Sequence, residues 1–186
     1  MKKVLLVLLI IISISCQRDI HFNNFENSLL RVYEPGDTLI FESNTKKRDT
    51  SYVLNKDVGY AKWNPFAHSG KYKYLYGTIY YGSNKRKYEG KPYPYVLLDI
   101  SKTKPDSTSL DIRFKDIFIS GRFKDFNKAS LDKFKIADSI YKFTDVHQKG
   151  KSSVNVYLCW HIKHGVIKYS TADKEIWQRV EISKYN

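Results

Sequence analysis

Lys71-Tyr72-Lys73-Tyr74-Leu75-Tyr76-Gly77-Thr78-Ile79-Tyr80-Tyr81 is the stretch that decides the fold class. Its period is two. Tyr72, Tyr74, Tyr76, Thr78 and Tyr80 fall on one face of a pleated strand, and Lys71, Lys73, Leu75, Gly77, Ile79 and Tyr81 fall on the other. Both faces carry apolar groups, so the residues leave open which one turns to a core.

The same period extends outward in both directions. Upstream, the turn signal Glu34-Pro35-Gly36-Asp37 precedes the strand Thr38 to Ser43, and the basic segment Asn44 to Asp49 leads to Ser51-Tyr52-Val53-Leu54, which predicts a hairpin with a longer loop. Downstream, Lys91-Pro92-Tyr93-Pro94 holds the chain extended until a strand over Tyr95 to Ile100. Leu110, Ile112 and Phe114 then alternate with polar residues, and the apolar parity slips by one to Ile117 and Ile119. Such a slip flips faces, so a bulge or tight turn is expected near Lys115-Asp116.

Ala129 to Phe143 is ambiguous. Ser130 could cap a helix bearing Leu131, Phe134, Ala137 and Tyr141, whereas Ile136, Ile140 and Phe143 suit strands; a short helix is expected. Val154 to Ile162, Val166 to Tyr169 and Glu175 to Ile182 complete the series. Turn signals every 8–12 residues predict an antiparallel meander of about nine to eleven strands. The fold class is mainly β: a curled sheet, barrel or sandwich, with at most one short helix.

The amino terminus has a different grammar. Met1-Lys2-Lys3 is a short basic start, Val4 through Ile12 is an unbroken apolar run, and Ser13-Ile14-Ser15 is a small-residue stretch ending in Cys16. These are the zones of a secretory leader, and the run falls short of the roughly 20 apolar residues a membrane helix needs. The segment resembles the lipobox of bacterial lipoproteins. That resemblance implies cleavage before Cys16, a diacylglycerol on its sulfur and usually an acyl group on its new amine. With two or three chains the anchor is effectively permanent. The expected organisation is a leader over 1–15, a tether over 16–28, rich in Asn and Gln, and one β-rich domain over 29–186.

Further stretches extend the resemblance. Trp160-His161-Ile162-Lys163-His164-Gly165-Val166-Ile167-Lys168-Tyr169, followed by Glu175-Ile176-Trp177, is similar to the terminal hairpins of small β-rich lipoproteins of Gram-negative bacteria. Gly36-Asp37-Thr38-Leu39-Ile40-Phe41 is similar to their opening hairpin. The implied address is the cell envelope, with the outer membrane, on its periplasmic side or at the cell surface, as the expected anchor. No catalytic residue comes with the likeness.

The formal charge is +13. In an envelope compartment nucleic acid is not an expected partner, and another envelope protein, anionic lipid and acidic glycans are. The basic residues are spread along the chain, as lysines that solvate a β surface and guard its edges also would be. If Cys16 carries lipid, Cys159 has no partner thiol within the chain.

Among candidate sites, the stripe Tyr72, Tyr74, Tyr76 and Tyr80 offers rigid rings with polar tips, suited to sugars or a lipid-binding mouth. The same pattern serves to hold neighbouring strands together. Trp63 heads the aromatic loop Trp63 to Gly70, a second ligand-surface candidate or a plug over a barrel end. Cys159, His161 and His164 could supply soft metal ligands, with His68 or His147 to complete a set. No Cys-x-x-Cys or His-Glu-x-x-His spacing supports them, so no metal and no cofactor is expected. Asp99, Asp106, Asp111 and Asp116 lie apart, and there is no nucleophile elbow or phosphate-cradling loop. The expected function is a non-catalytic, lipid-anchored binding or adaptor module. The alternatives are an inhibitor or immunity-type lipoprotein that binds a protein toxin and, further off, an envelope hydrolase.

Overall fold

A computed structural model describes residues 17–62, 72–83, 87–122, 135–137, 139–149 and 152–180. Over these the chain forms α1 (Asn24–Arg31), β1 (Thr38–Ser43), β2 (Arg48–Tyr60), β3 (Leu75–Ser83), β4 (Lys87–Tyr88), β5 (Lys91–Pro92) and β6 (Tyr95–Lys104). There follow β7 (Ser107–Phe114), β8 (Ile117–Arg122), β9 (Lys135–Ala137), β10 (Ile140–Lys149), β11 (Ser152–His161), β12 (Gly165–Ser170) and β13 (Ile176–Arg179). The fold is mainly β, as the alternation predicts.

Eleven strands hydrogen-bond into one antiparallel sheet in the order β8-β7-β6-β3-β2-β1-β13-β12-β11-β10-β9, with β4 and β5 as a separate small pair. Two meanders meet where the last strand joins the first, with Phe41 opposite Arg179 and Ser43 opposite Trp177. The sheet curls until β8 approaches β10, where the Phe118 amide donates to Asp145 Oδ2 at 3.0 Å. The result is a nearly closed barrel. Curling leaves few unpaired edge groups, which is how a long sheet avoids templating another chain.

The inward residues follow from period two. Leu39 and Phe41 on β1, Leu75 and Ile79 on β3, Leu98 and Ile100 on β6, and Leu110, Ile112 and Phe114 on β7 are all buried. On β3 the odd-numbered face is therefore the core face. Phe114 and Ile117 pair across a two-residue turn in which Lys115 adopts φ 56°, which is the tight turn the parity slip demands.

Two expectations are corrected. Residues 17–28 are not a loose tether. Ile20, Phe22 and Glu26 are buried, and α1 closes one end of the barrel with Leu29 and Leu30 turned inward. The local code is a capping box: Asn23 Oδ1 accepts from the Glu26 amide at 2.8 Å, and Glu26 Oε2 accepts from the Asn23 amide at 2.7 Å. Gly77 makes room for this plug, since a Cβ there would lie 2.7 Å from Leu30 Cδ1. The expected helix over 129–143 is also overturned where the chain is described. Lys135–Ala137 and Ile140–Lys149 are strands, with Tyr141 opposite Trp160 and Phe143 opposite Leu158. Long-range pairing against an apolar neighbour outweighs the weak local helix signal; residues 129–134 lie outside the described residues.

Candidate functional site

The two ends of the barrel differ. At the plugged end Lys102 of β6 reaches inward beneath α1, 2.9 Å from Glu26 Oε2, and Thr108 Oγ1 donates to Glu26 Oε1 at 2.6 Å. Tyr33 completes the seal. Its hydroxyl accepts from the Val166 amide at 2.6 Å, and its ring meets Trp160 edge-on at 5.8 Å.

The opposite end is an open mouth of ≈ 430 Å³. Lys115, at the β7–β8 turn, reaches across to β2, where its Nζ lies 2.6 Å from Asp49 Oδ2 and 3.0 Å from Ser51 Oγ. Tyr169 of β12 donates to the same Asp49 oxygen at 3.1 Å, and the Lys115 amide donates to the Tyr81 hydroxyl at 2.8 Å. Below this network Phe41, Phe114 and Tyr169 pack with ring centroids 5.1 to 5.5 Å apart. Trp177 stacks on Tyr169 at 5.9 Å with planes 2° apart. The rim is completed by Tyr95, Asp116, Thr171, Asp173 and Glu175.

Burial and charge set the protonation of the site. Burial pushes the Tyr81 hydroxyl up to about 12, with Asp116 and Asp49 adding to the shift and the Lys115 amide opposing it. Tyr169 is raised further, by burial first and then by the charge and hydrogen bond of Asp49. Both hydroxyls are neutral at physiological pH. Glu175 is held below the usual carboxylate range by hydrogen bonds from Lys47 and then Thr45. Two buried polar atoms on the wall, Thr171 Oγ1 and Trp177 Nε1, have no hydrogen-bond partner among the described residues. A buried polar atom left unpaired costs on the order of 1–3 kcal/mol. Phe41 and Phe114 are wholly buried beneath the network, so the mouth meets solvent through the edges of Tyr81, Tyr95, Tyr169 and Trp177 and through the carboxylates and hydroxyls around them.

The tyrosine stripe is split. Tyr72, just before β3, packs against the core, whereas Tyr74 is 42 % exposed and stacks on Tyr76 with centroids 6.5 Å apart on the outer face. Tyr76 donates to Asp57 Oδ2 at 3.2 Å, and Tyr80 lies half-buried at a register shift opposite Val96. Cys16 and Trp63 lie outside the described residues. Cys159 is buried on the outer face of β11, and burial raises its thiol pKa. His161 and His164 stack at 4.6 Å near the plugged end, and burial and then Lys163 lower the pKa of His161. No group of three or more His, Cys, Asp or Glu side chains suited to a metal occurs among the described residues.

Sequence reasoning passed over Asp49, Tyr81, Tyr95 and Tyr169 as site residues. A signal existed: Asp49 and Ser51 are polar residues in phase with Val53, so the inward face of β2 turns polar toward one end. Which polar residues would converge there depended on strand order. Comparison of the chain with protein-family models, curated proteins and solved structures finds no match.

Proposed function

We propose that this protein is a lipid-anchored binding or adaptor module of the bacterial cell envelope, non-catalytic, whose ligand enters the open mouth of the barrel. The carrying observation is the asymmetry of the ends: one is sealed by α1, and the other opens into a pocket lined by aromatic ring edges and polar groups. A ligand with an apolar face and hydroxyl or amino groups at its edge, as a sugar ring has, matches that chemistry. Envelope glycans are the ligand class this reading favours. The leader-like segment over 1–15, with Cys16 directly after it, supports the anchor.

The test is titration of the protein with oligosaccharides released from envelope glycans, following the indole N–H resonances of Trp177 and Trp160. Saturable movement of Trp177 with Trp160 unchanged is expected. Binding that leaves Trp177 unmoved would place the ligand elsewhere and end the mouth reading. Trp177 moving only with a protein partner would favour an inhibitor-type role.

A further inference from the structure

The β2–β3 ribbon runs on past the end of β1, beside a β6–β7 hairpin of similar reach in which Lys102 and Thr108 stand level with Leu75. β2 continues to Tyr60, and beyond it the Ala61 amide still donates to Tyr74 O at 2.9 Å. Here the ribbon exposes large side chains on both of its faces. Val58 and Tyr60 stand opposite Gly77 and Leu75 and share their face, while Tyr74 stands with Tyr76 on the other. Val58 is 50 % exposed and Tyr60 36 % exposed.

The amino-terminal segment runs along this same end of the ribbon. Arg18 forms a parallel bridge with Tyr72, the Lys73 amide donates to Arg18 O at 2.9 Å, and Tyr60 OH donates to Ile20 O at 2.6 Å. Because the bridge is parallel, reading back from Arg18 runs the same way as reading back from Tyr72, away from the barrel. Gln17 therefore enters from the outer end of the ribbon, and Cys16 is the residue before it in the chain. The charge at this end is basic by one: Arg18, Lys62 and Lys73 stand with Asp19, which pairs with Lys73 at 2.8 Å, and Asp57.

We propose that the Tyr60 end of the β2–β3 ribbon is a membrane-docking surface, seated among the headgroups of an anionic bilayer beside the lipid on Cys16. The proposal rests on the reading of Cys16 as lipidated. Tyrosine is at home at the membrane–water interface, with its ring in the headgroup layer and its hydroxyl in water, and basic side chains are drawn to anionic lipid. A permanent anchor keeps the ribbon at the membrane, so contacts too weak to hold a free protein there suffice to orient this one. The occupant is lipid because the anchored end meets lipid first, and because a bilayer interface can accept both faces of a ribbon at once. Docked in this way the barrel stands upright. Tyr81 lies roughly 20 Å along β3 from Leu75, so the mouth faces away from the membrane.

The test uses protein isolated with its lipid from membranes, in a Cys159→Ser background, carrying a bimane label at Val58→Cys, Tyr74→Cys or Phe118→Cys. Phe118 is 48 % exposed on β8, beside the β7–β8 turn at the mouth end. Each form is placed in phosphatidylethanolamine–phosphatidylglycerol vesicles containing a headgroup nitroxide lipid. Quenching at positions 58 and 74 several-fold stronger than at 118 is expected. Equally weak quenching at all three positions, in protein whose amino-terminal peptide carries lipid by mass, overturns the docking surface and leaves the anchor standing. An amino-terminal peptide without lipid overturns the anchor instead. The docking surface, which rests on the anchor, then falls with it, and the mass of that peptide tells the two failures apart.

Discussion

Two lysines enter the barrel from opposite ends and each meets one carboxylate. Lys102 and Glu26 are 5 % and 2 % exposed, with Thr108 on the same carboxylate, whereas Lys115 is 20 % exposed against Asp49 at 4 %. The first pair is sealed under α1, and water is excluded from both partners. The second sits at the mouth, where its lysine still touches solvent. The same two residue types therefore do different things. Below, the pair locks the amino-terminal plug to the sheet; above, it props the β7–β8 turn over β2 and shapes a rim that a ligand can reach.

The largest effect is expected from Glu26→Ala. It strands Lys102 without its partner in a dry site, and a loss of about 3–5 kcal/mol is expected in urea unfolding. A loss under about 1 kcal/mol would mean that water reaches Lys102 and the plug is no seal. Gly77→Ala tests the same end by volume, since the added methyl meets Leu30. A loss of about 1–3 kcal/mol is expected, with a smaller loss when measured in a Leu30→Ala background. Equal losses in the two backgrounds would separate Gly77 from the plug.

At the mouth, Asp49→Ala is expected to cost less, about 1–2 kcal/mol, because solvent can take over Lys115. A cost matching that of Glu26→Ala would mean the mouth is closed in solution. The mouth also carries a pH signature. The Tyr81 pKa is raised from 10.0 to about 12 and Tyr169 is raised too, so their contribution is fully present below pH 10. Above pH 10 the unfolded chain ionises while the folded one resists, and stability falls as pH rises through the folded values. Denaturant midpoints measured from pH 8 upward should be flat until pH 10 and then decline; Tyr169→Phe should flatten part of that decline. The smallest effect is expected outside the barrel, where Tyr74→Ser should change stability by less than about 0.5 kcal/mol. A larger loss in a thermal melt would make the exposed end of the ribbon part of the core.

Much of the barrel was legible. β1 runs Thr38–Ser43 as the turn before it predicts, and the parity slip after Phe114 becomes the tight turn at Lys115 and Asp116. These are local matters of period and turn chemistry, and a half-buried strand writes them into its own residues. The plug was legible only in part. Asn23 and Glu26 stand at capping-box spacing, yet the polar residues around them hid a helix whose burial comes from a sheet distant in sequence. The segment around 140 failed for the opposite reason. Its apolar residues fit either period, and pairing with β11 decided between them.

The candidate site was the least legible part. The tyrosines at positions 72, 74, 76 and 80 drew attention because they are adjacent in a strand, but Tyr81, on the other parity, is the one that reaches the mouth. Its partners Asp49, Lys115 and Tyr169 come from β2, the β7–β8 turn and β12, and each is ordinary in its own segment. Neighbouring residues alone settle a β fold and its turns. Which face of each strand is inside, which end of the barrel is plugged and which charges meet were set by the folded chain as a whole. Those depend on strand order and closure, which bring residues more than a hundred positions apart to within a hydrogen bond of one another.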